Sequence, residues 1–222
     1  MKRHLGIKIA GACATAVAVA IAVSTTPPRV AMAQSGGDSR ITIGLNAAPV
    51  PLNMAGKNSA LVGLGSYFVN VAGDCNGCHS AGPPTQYVRG GNPYMSQPKQ
   101  VNPATYLGGG RDFGALIPNS AHIVSRNLTP DASGLPIGGD SFDHFVQVIR
   151  TGVDPDHLHP PCTGTANAGC IPAPFDGNLL QIMPWPGLKD MSDYDLRAIY
   201  EYLSTIPCVQ GNYPGDPANR CG

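Results

Sequence analysis

The sequence predicts a mostly α-helical protein with long loops and an N-terminal arm. Three segments carry apolar residues at the spacing of an amphipathic helix, at 59–72, 140–151 and 192–205. Between them, the stretches 80–139 and 153–190 lack helical periodicity. The 222 residues include 28 glycines and 22 prolines, which favours a compact, loop-rich domain over one built from long helices.

The helix at 59–72 is predicted to begin with Ser59 as its N-cap. A glycine on its apolar face, Gly65, leaves room for a second helix to cross closely. The other residues predicted on this face are Leu64, Phe68, Val71 and Ala72.

The helix at 140–151 is predicted to begin with Asp140 or Ser141 as its N-cap and to end at Gly152. Arg150 in its last turn suits the helix dipole, and its alternative partner is a cofactor carboxylate. Its apolar face contains Phe142, Phe145, Val146 and Ile149.

The helix at 192–205 has the clearest end signals in the chain. Ser192 is the predicted N-cap, Asp195 follows three positions later, and Pro207 ends the helix. Its apolar face is predicted to pack against the helix at 59–72, and contains Leu196, Ile199, Tyr200 and Leu203.

The first 33 residues have the pattern of a secretory signal peptide. Lys2, Arg3 and Lys8 precede an apolar run at 9–23, and an Ala-x-Ala cleavage site ends at Ala33. We expect cleavage after Ala33 and export of the mature chain to the periplasm of a bacterium. The alternative is an uncleaved segment that anchors the protein to a membrane.

Residues 34–58 are predicted to form an arm that lies on a domain spanning 59–222. Ile41, Ile43 and Leu45 alternate with other residues, which predicts a short extended segment.

The stretch Cys75-Asn76-Gly77-Cys78-His79 carries the main chemical signal of the chain. A Cys-x-x-Cys-His run is the attachment signature of a c-type haem. On one helical turn, two cysteines three apart share a face, where their sulfurs can bond to the two vinyl groups of one haem. His79 then ligates the iron through a ring nitrogen. The sequence therefore predicts one covalently bound haem c.

Three other interpretations of a Cys-x-x-Cys pair are less well supported. A zinc site needs further close cysteine or histidine ligands, and the sequence has no second Cys-x-x-Cys. A thioredoxin-like motif needs a βαβ context, which the sequence does not indicate. A disulfide within one helical turn has poor geometry.

Four cysteines remain in the mature chain besides the haem pair: Cys162, Cys170, Cys208 and Cys221. An even number in an oxidising compartment predicts two disulfides. Of the three connectivities that are open, we favour the nearest-neighbour pairing, 162 with 170 and 208 with 221, because each bridge closes a short loop.

A haem bound to His79 needs a second axial ligand or keeps an open site. We predict Met183, because the prolines that follow it stiffen the loop that would hold its thioether above the iron. The alternative is that Met183 only fills the core. His157 and His159 share a proline-containing loop, and one of them is the second choice of ligand.

The other methionines and histidines are given different roles. Met191 is predicted to form a hydrophobic staple with Leu196 at the start of the last helix. Met54 precedes the first helix, a poor position from which to reach the far side of the haem. His144 is predicted to be exposed to solvent, and the segment 125–131 is either a turn or a loop that crosses a haem edge.

These motifs resemble those of class I c-type cytochromes, and especially the cytochrome c domains of bacterial dehydrogenase-associated cytochrome subunits. The resemblance covers about residues 59–207 and rests on the haem motif, 127–131, 145–152, Met183-Pro184-Trp185 and 191–196. It implies the cytochrome c fold, with three to four helices around one haem, and Met183 as the distal ligand. The chain departs from those subunits in its single haem motif and its four further cysteines.

An iron closed by His79 and Met183 leaves no site for a substrate, so the sequence favours an electron carrier over an enzyme. The first alternative is a fixed electron-transfer subunit of a periplasmic dehydrogenase complex. The second is a haem enzyme or sensor with an open iron site. The expected partners are redox proteins, with a dehydrogenase as donor and a cytochrome or oxidase as acceptor.

The charge of the mature chain argues against a nucleic-acid partner. The signal peptide contains four of the 14 basic residues and no acidic ones, so ten basic residues remain against 14 acidic ones. A mildly acidic protein of this kind suits a redox partner with a basic docking face.

Overall fold

A computed structural model describes residues 38–211 and 219–222. The predicted signal peptide and its cleavage site lie outside these residues. The regular structure of the described chain is mostly helical, which confirms the predicted class.

The helices differ greatly in length, and four of those in the described residues have nine or more residues. Within the described ranges, no helix combines the length and the apolar character needed to cross a membrane. In chain order the helices are α1 (Ser39–Ala47), α2 (Ser59–Tyr67), α3 (Cys75–Cys78), α4 (Pro83–Gln86), α5 (Pro136–Gly139), α6 (Phe142–Thr151), α7 (Trp185–Leu188) and α8 (Asp193–Leu203).

A two-stranded antiparallel hairpin lies in the long region between α4 and α5. Its strands are β1 (Asp112–Ala115) and β2 (His122–Val124). Asp112 pairs with Val124, and Ala115 pairs with His122.

Residues 39–47 are helical, so the prediction of an extended segment there was wrong. The helix α1 packs closely on α2 where two glycines meet, since a Cβ at Gly44 would lie 1.9 Å from the carbonyl oxygen of Gly63. This contact overrides the alternating pattern of the sequence. Ile43 and Leu45 consequently remain 46% and 37% exposed.

The N-cap of α2 is Asn58, and the prediction of Ser59 was wrong by one residue. The side-chain oxygen of Asn58 accepts hydrogen bonds from the backbone N–H groups of Ala60 and Leu61, at 2.9 and 3.3 Å. Asparagine and serine are about equally good caps, so residue type alone does not choose between two that are adjacent.

The helix α2 continues directly into a π-helical segment, Phe68–Ala72. The wider π turn shifts the side chains out of the register of an α-helix. Val69 is therefore only 1% exposed, whereas Val71, predicted on the buried face, is 45% exposed.

The helices α2 and α8 cross at Gly65, as the position of this glycine predicts. A Cβ at Gly65 would lie 1.9 Å from the carbonyl oxygen of Ala198 and 2.8 Å from the Cβ of Tyr202, and both of these residues are fully buried. The face of α8 that was predicted to meet α2 also lines a cavity, to which it contributes Leu196 and Leu203. The helix α8 is thus buried on two faces, one against α2 and one towards the cavity.

The predicted ends of α6 and α8 are confirmed. Ser141 accepts a hydrogen bond from the backbone N–H of His144 at 3.2 Å, and Gly152 follows α6 with φ +72°. Ser192 accepts from the backbone N–H of Asp195 at 3.1 Å and donates to the carboxylate of that residue at 2.8 Å.

Two disulfides connect Cys162 to Cys170 and Cys208 to Cys221, which is the predicted pairing. The remaining two cysteines among the described residues, Cys75 and Cys78, are free thiols.

Candidate haem site

A cavity of about 440 Å³ adjoins the Cys-x-x-Cys-His turn. Its wall contains Cys75, Cys78, His79 and Met183, the four residues predicted to bind the cofactor. Most of the remaining wall is apolar and comes from the π segment, α6, α8 and the residues before α7. The structure therefore brings the predicted site residues together around one space.

Hydrogen bonds from the long region 80–139 hold the Cys-x-x-Cys-His turn in place. The backbone N–H of Leu107 donates to the side-chain oxygen of Asn76 at 2.9 Å. The backbone N–H of Gly109 donates to the carbonyl oxygen of His79 at 2.8 Å. A region without helical periodicity thus fixes the orientation of the functional turn.

Arg111 adds a third contact to this turn. Its Nη1 donates to the carbonyl oxygen of Gly77 at 2.5 Å, and its backbone N–H donates to Oγ of Ser125 at 3.0 Å. The guanidinium carbon lies 4.8 Å from the ring centre of Phe113, within range of a cation–π interaction.

His79 has the tautomer and charge that an iron ligand requires. Its Nδ1 lies 2.8 Å from the carbonyl oxygen of Arg126, and because a carbonyl only accepts, Nδ1 carries the proton. Nε2 therefore keeps its lone pair for a metal. Burial lowers the pKa of His79, which keeps the ring neutral at physiological pH.

Burial raises the pKa of the Cys75 thiol to about 11. The thiolate, not the thiol, is the form of cysteine that binds zinc and other soft metals. The environment of Cys75 therefore disfavours a thiolate–metal site and leaves a neutral thiol beside the cavity.

Met183 is partly buried and packs against the hydrophobic core. Its backbone N–H donates to the carbonyl oxygen of Gln181, and its own carbonyl accepts from the N–H of Trp185, both at 2.8 Å. The indole N–H of Trp185 donates to the carbonyl oxygen of Leu180 at 3.2 Å. The ring lies directly on Gly152, where a Cβ would be 2.4 Å from the indole, so Trp185 anchors the Met183 loop to the end of α6.

Three further candidate ligands also line the cavity, namely His122, His159 and Met191. The side chain of His157 lies outside the described part of the chain. The cavity therefore contains the first choice, Met183, as well as His159, one of the two histidines given as second choice, and the identity of the second ligand stays a prediction.

Two residues that were given other roles lie apart from this wall. Met54 packs against the core. His144 was predicted to be exposed, but only 23% of its side chain is, because its Nδ1 lies 3.1 Å from the carboxylate of Asp140.

A charged cluster of Arg126, Asp140 and Asp154 interrupts the apolar wall. Nη1 of Arg126 lies 2.5 Å from the carboxylate of Asp154 and 4.0 Å from that of Asp140. The side chain of Asp154 is only 2% exposed. Burial raises the pKa of Asp140, although the nearby charges of Arg126 and His144 oppose this effect.

Sequence reasoning missed Arg126 and Asp154. It considered Arg150 as a carboxylate partner, but Arg150 bonds to Asp193 at 2.6 Å and to the carbonyl of Lys189. The segment 125–131 was interpreted as a turn or as a loop that crosses a haem edge, and the second interpretation pointed towards Arg126. Several residues of this loop do line the cavity.

No protein-family model matches the chain. Among curated proteins, a gluconate 2-dehydrogenase cytochrome c subunit from Pantoea cypripedii is 31% identical over 163 residues, which are 72% of this chain. The match covers 26% of that protein, so the chain spans about a quarter of the length of this relative. The chain is thus similar to one part of a longer cytochrome c subunit.

Proposed function

We propose that the chain is a monohaem c-type cytochrome that transfers single electrons as a subunit of a periplasmic dehydrogenase complex. The observation that carries the proposal is the grouping of Cys75, Cys78, His79 and Met183 on the wall of one largely apolar cavity. Two thiols, a neutral imidazole and a thioether form the set of groups that attaches a haem c and closes both faces of its iron.

Each of these residues has a separate task. Cys75 and Cys78 would attach the cofactor covalently, and His79 would offer Nε2 to the iron, since its Nδ1–H is bound to the carbonyl of Arg126. Met183 provides the second ligand from a loop that Trp185 holds in place. A c-type haem supplies one-electron exchange between ferric and ferrous iron when it is bound. The apolar wall would limit the access of water to the haem, and the contacts of His79 and of the Met183 loop would hold both ligands in position.

The comparison supports the complex subunit over the free carrier that the sequence alone favours. The relative is named as a cytochrome c subunit of a dehydrogenase, and the similarity extends over 72% of this chain. The site itself suits either role, because both transfer electrons through the same iron. The dehydrogenase partner and the periplasmic location are parts of this proposal.

Haem attachment is tested by expressing the full chain in a bacterium that matures c-type cytochromes. We expect the intact mass of the purified protein to include one covalent haem, and Cys75→Ala/Cys78→Ala to lose it. The matched control is Cys162→Ala/Cys170→Ala, which also removes two cysteines but leaves the attachment turn intact. A wild-type protein without covalent haem would refute the proposal.

The subunit assignment is tested by size-exclusion chromatography of a native extract, with detection of haem and of the chain. We expect both to elute with dehydrogenase activity at a mass well above 23.0 kDa. Elution of the haem-containing chain alone, near its own mass, would support the free carrier instead.

A further inference from the structure

Arg126 combines a backbone contact to His79 with a charged side chain on the cavity wall. Among the described residues that line the cavity, it is the only arginine or lysine. Its carbonyl oxygen accepts the hydrogen bond from His79, and its side chain turns to the carboxylates of Asp154 and Asp140. Arg126 thus contacts the imidazole of His79 through its backbone, and Asp140 and Asp154 through its side chain.

The guanidinium of Arg126 has N–H groups that are not used in hydrogen bonds to other described residues. An arginine has five N–H groups, and the bond to Asp154 uses Nη1. The carboxylate of Asp140 is 4.0 Å away, too far for a hydrogen bond. Nε and Nη2 form no hydrogen bond with another residue in the part of the chain that the structure describes. The side chain is 21% exposed and lines the cavity, so these donors are available to a group bound there.

The proposed haem carries carboxylates that could accept hydrogen bonds from the guanidinium of Arg126. A haem carries two propionate carboxylates on one edge, and a carboxylate that enters an apolar cavity needs a hydrogen-bonded cation. Arginine binds carboxylates with two parallel N–H groups, which is the capacity that Arg126 retains. Resting on the proposed function, we propose that Arg126 binds a haem propionate and that Asp154 holds its guanidinium in position for this contact.

The arrangement also sets the charge around the haem edge. Bound in this way, Arg126 faces a propionate together with Asp154 and Asp140, so that one cation is surrounded by three carboxyl groups. His144 contacts the other carboxylate oxygen of Asp140, at 3.1 Å. Arg126 therefore provides most of the positive charge that opposes the carboxylates at this end of the cavity.

The test compares holoprotein variants Arg126→Gln and Arg126→Lys with Arg89→Gln. Arg89 is exposed and does not line the cavity, so it controls for the loss of one positive charge. The measurements are the propionate vibrations in the resonance Raman spectrum and the midpoint potential. We expect Arg126→Gln to shift the propionate bands and to lower the potential, because a cation near the haem disfavours the oxidised iron.

Arg126→Lys should recover part of the potential but not the propionate bands, because a lysine keeps the charge and loses the paired donors. Arg89→Gln should match the wild type in both measurements. Propionate bands that are the same in wild type and Arg126→Gln would overturn the inference, while covalent haem in both would leave the proposed function intact.

A second variant covers the case in which Arg126→Gln fails to retain haem. Asp154→Asn keeps the guanidinium and removes the carboxylate that holds it, so the propionate bands should shift or broaden. Unchanged bands in this variant would overturn the role given to Asp154. Loss of covalent haem from the wild type itself would count against the proposed function, not against this inference alone.

Discussion

At the scale of single residues, the sequence identifies some site members and misses others for a physical reason. Cys75, Cys78 and His79 are adjacent in the chain, so a local motif is sufficient to find them. Arg126 and Asp154 meet at 2.5 Å across 28 positions, and no local pattern marks such a pair. Contacts of this kind depend on how loops fold over one another.

The choice of second iron ligand gives the first prediction. Met183→Ala should remove the thioether and open the iron, so that imidazole binds to the ferric protein roughly tenfold or more tightly than to the wild type. The midpoint potential should fall, because methionine ligation raises it. Titration with imidazole, followed by absorption, measures the first effect.

The matched control for this variant is Met191→Ala, the other methionine on the cavity wall. It should leave the imidazole affinity close to that of the wild type. If Met191→Ala opens the iron and Met183→Ala does not, the ligand assignment is wrong. If neither does, His157 or His159 becomes the preferred ligand.

Asp140 gives a prediction about pH. Burial raises its pKa above the ordinary value of 3.8, so the folded state favours the neutral carboxyl group. The stability that this preference contributes is complete below the ordinary pKa and is lost as the pH rises through the raised pKa. Asp140→Asn should therefore gain stability relative to the wild type as the pH rises from below 3.8 towards neutrality.

Urea unfolding of both proteins at several pH values measures this difference. Asp143→Asn removes an exposed carboxylate from the first turn of α6, three positions along the chain, and serves as the comparison. A free-energy difference between Asp140→Asn and wild type that is constant over this range would show that burial does not govern the ionisation of Asp140.

At the scale of secondary-structure elements, several helix ends and the crossing of α2 with α8 were predicted, whereas the helix at 39–47 was not. Ser192 with Asp195, and Gly152 after α6, are local signals that act within one turn, and the structure retains them. The segment 39–47 was mispredicted because the contact between Gly44 and Gly63 lies outside its own sequence.

The crossing of α2 and α8 gives a prediction at this scale. Gly65→Ala would place a Cβ 1.9 Å from the carbonyl oxygen of Ala198, and the two helices would have to separate. Overpacking of this kind costs about 1–3 kcal/mol of unfolding free energy. Urea unfolding followed by circular dichroism measures the loss.

Gly187→Ala is the matched control, because an added Cβ at Gly187 meets no atom within 4 Å. It should be neutral or slightly stabilising, since alanine favours a helix over glycine. Equal stabilities of the two variants would contradict the close crossing at Gly65.

At the scale of the whole molecule, the end of the chain is connected to the functional site. Arg220 is buried and donates to the carbonyl oxygens of Asn127 and Thr129, at 3.3 and 2.6 Å. These residues follow Arg126, whose carbonyl holds His79. Apolar periodicity and composition predict the helical class, and cysteine spacing favours the observed disulfide pairing. The connection of Arg220 depends on contacts across about 90 positions, which the sequence pattern does not reveal.

The disulfide next to Arg220 gives the corresponding prediction. Cys208→Ser/Cys221→Ser removes a bridge across 13 positions and should cost about 3 kcal/mol of unfolding free energy. The holoprotein should also bind imidazole faster, because the segment that supports His79 loses a restraint. Cys162→Ser/Cys170→Ser is the control, because it also removes a disulfide but not the one next to Arg220. An equal change in the imidazole binding rate of both variants would argue against a connection between the chain end and His79.

The ferric absorption spectrum of the purified wild-type holoprotein tests the central claim most directly. A haem closed by His79 and Met183 predicts a low-spin spectrum with the weak long-wavelength band of methionine bound to ferric iron. A high-spin ferric spectrum without that band would contradict a closed iron and, with it, the assignment of the chain as an electron-transfer protein.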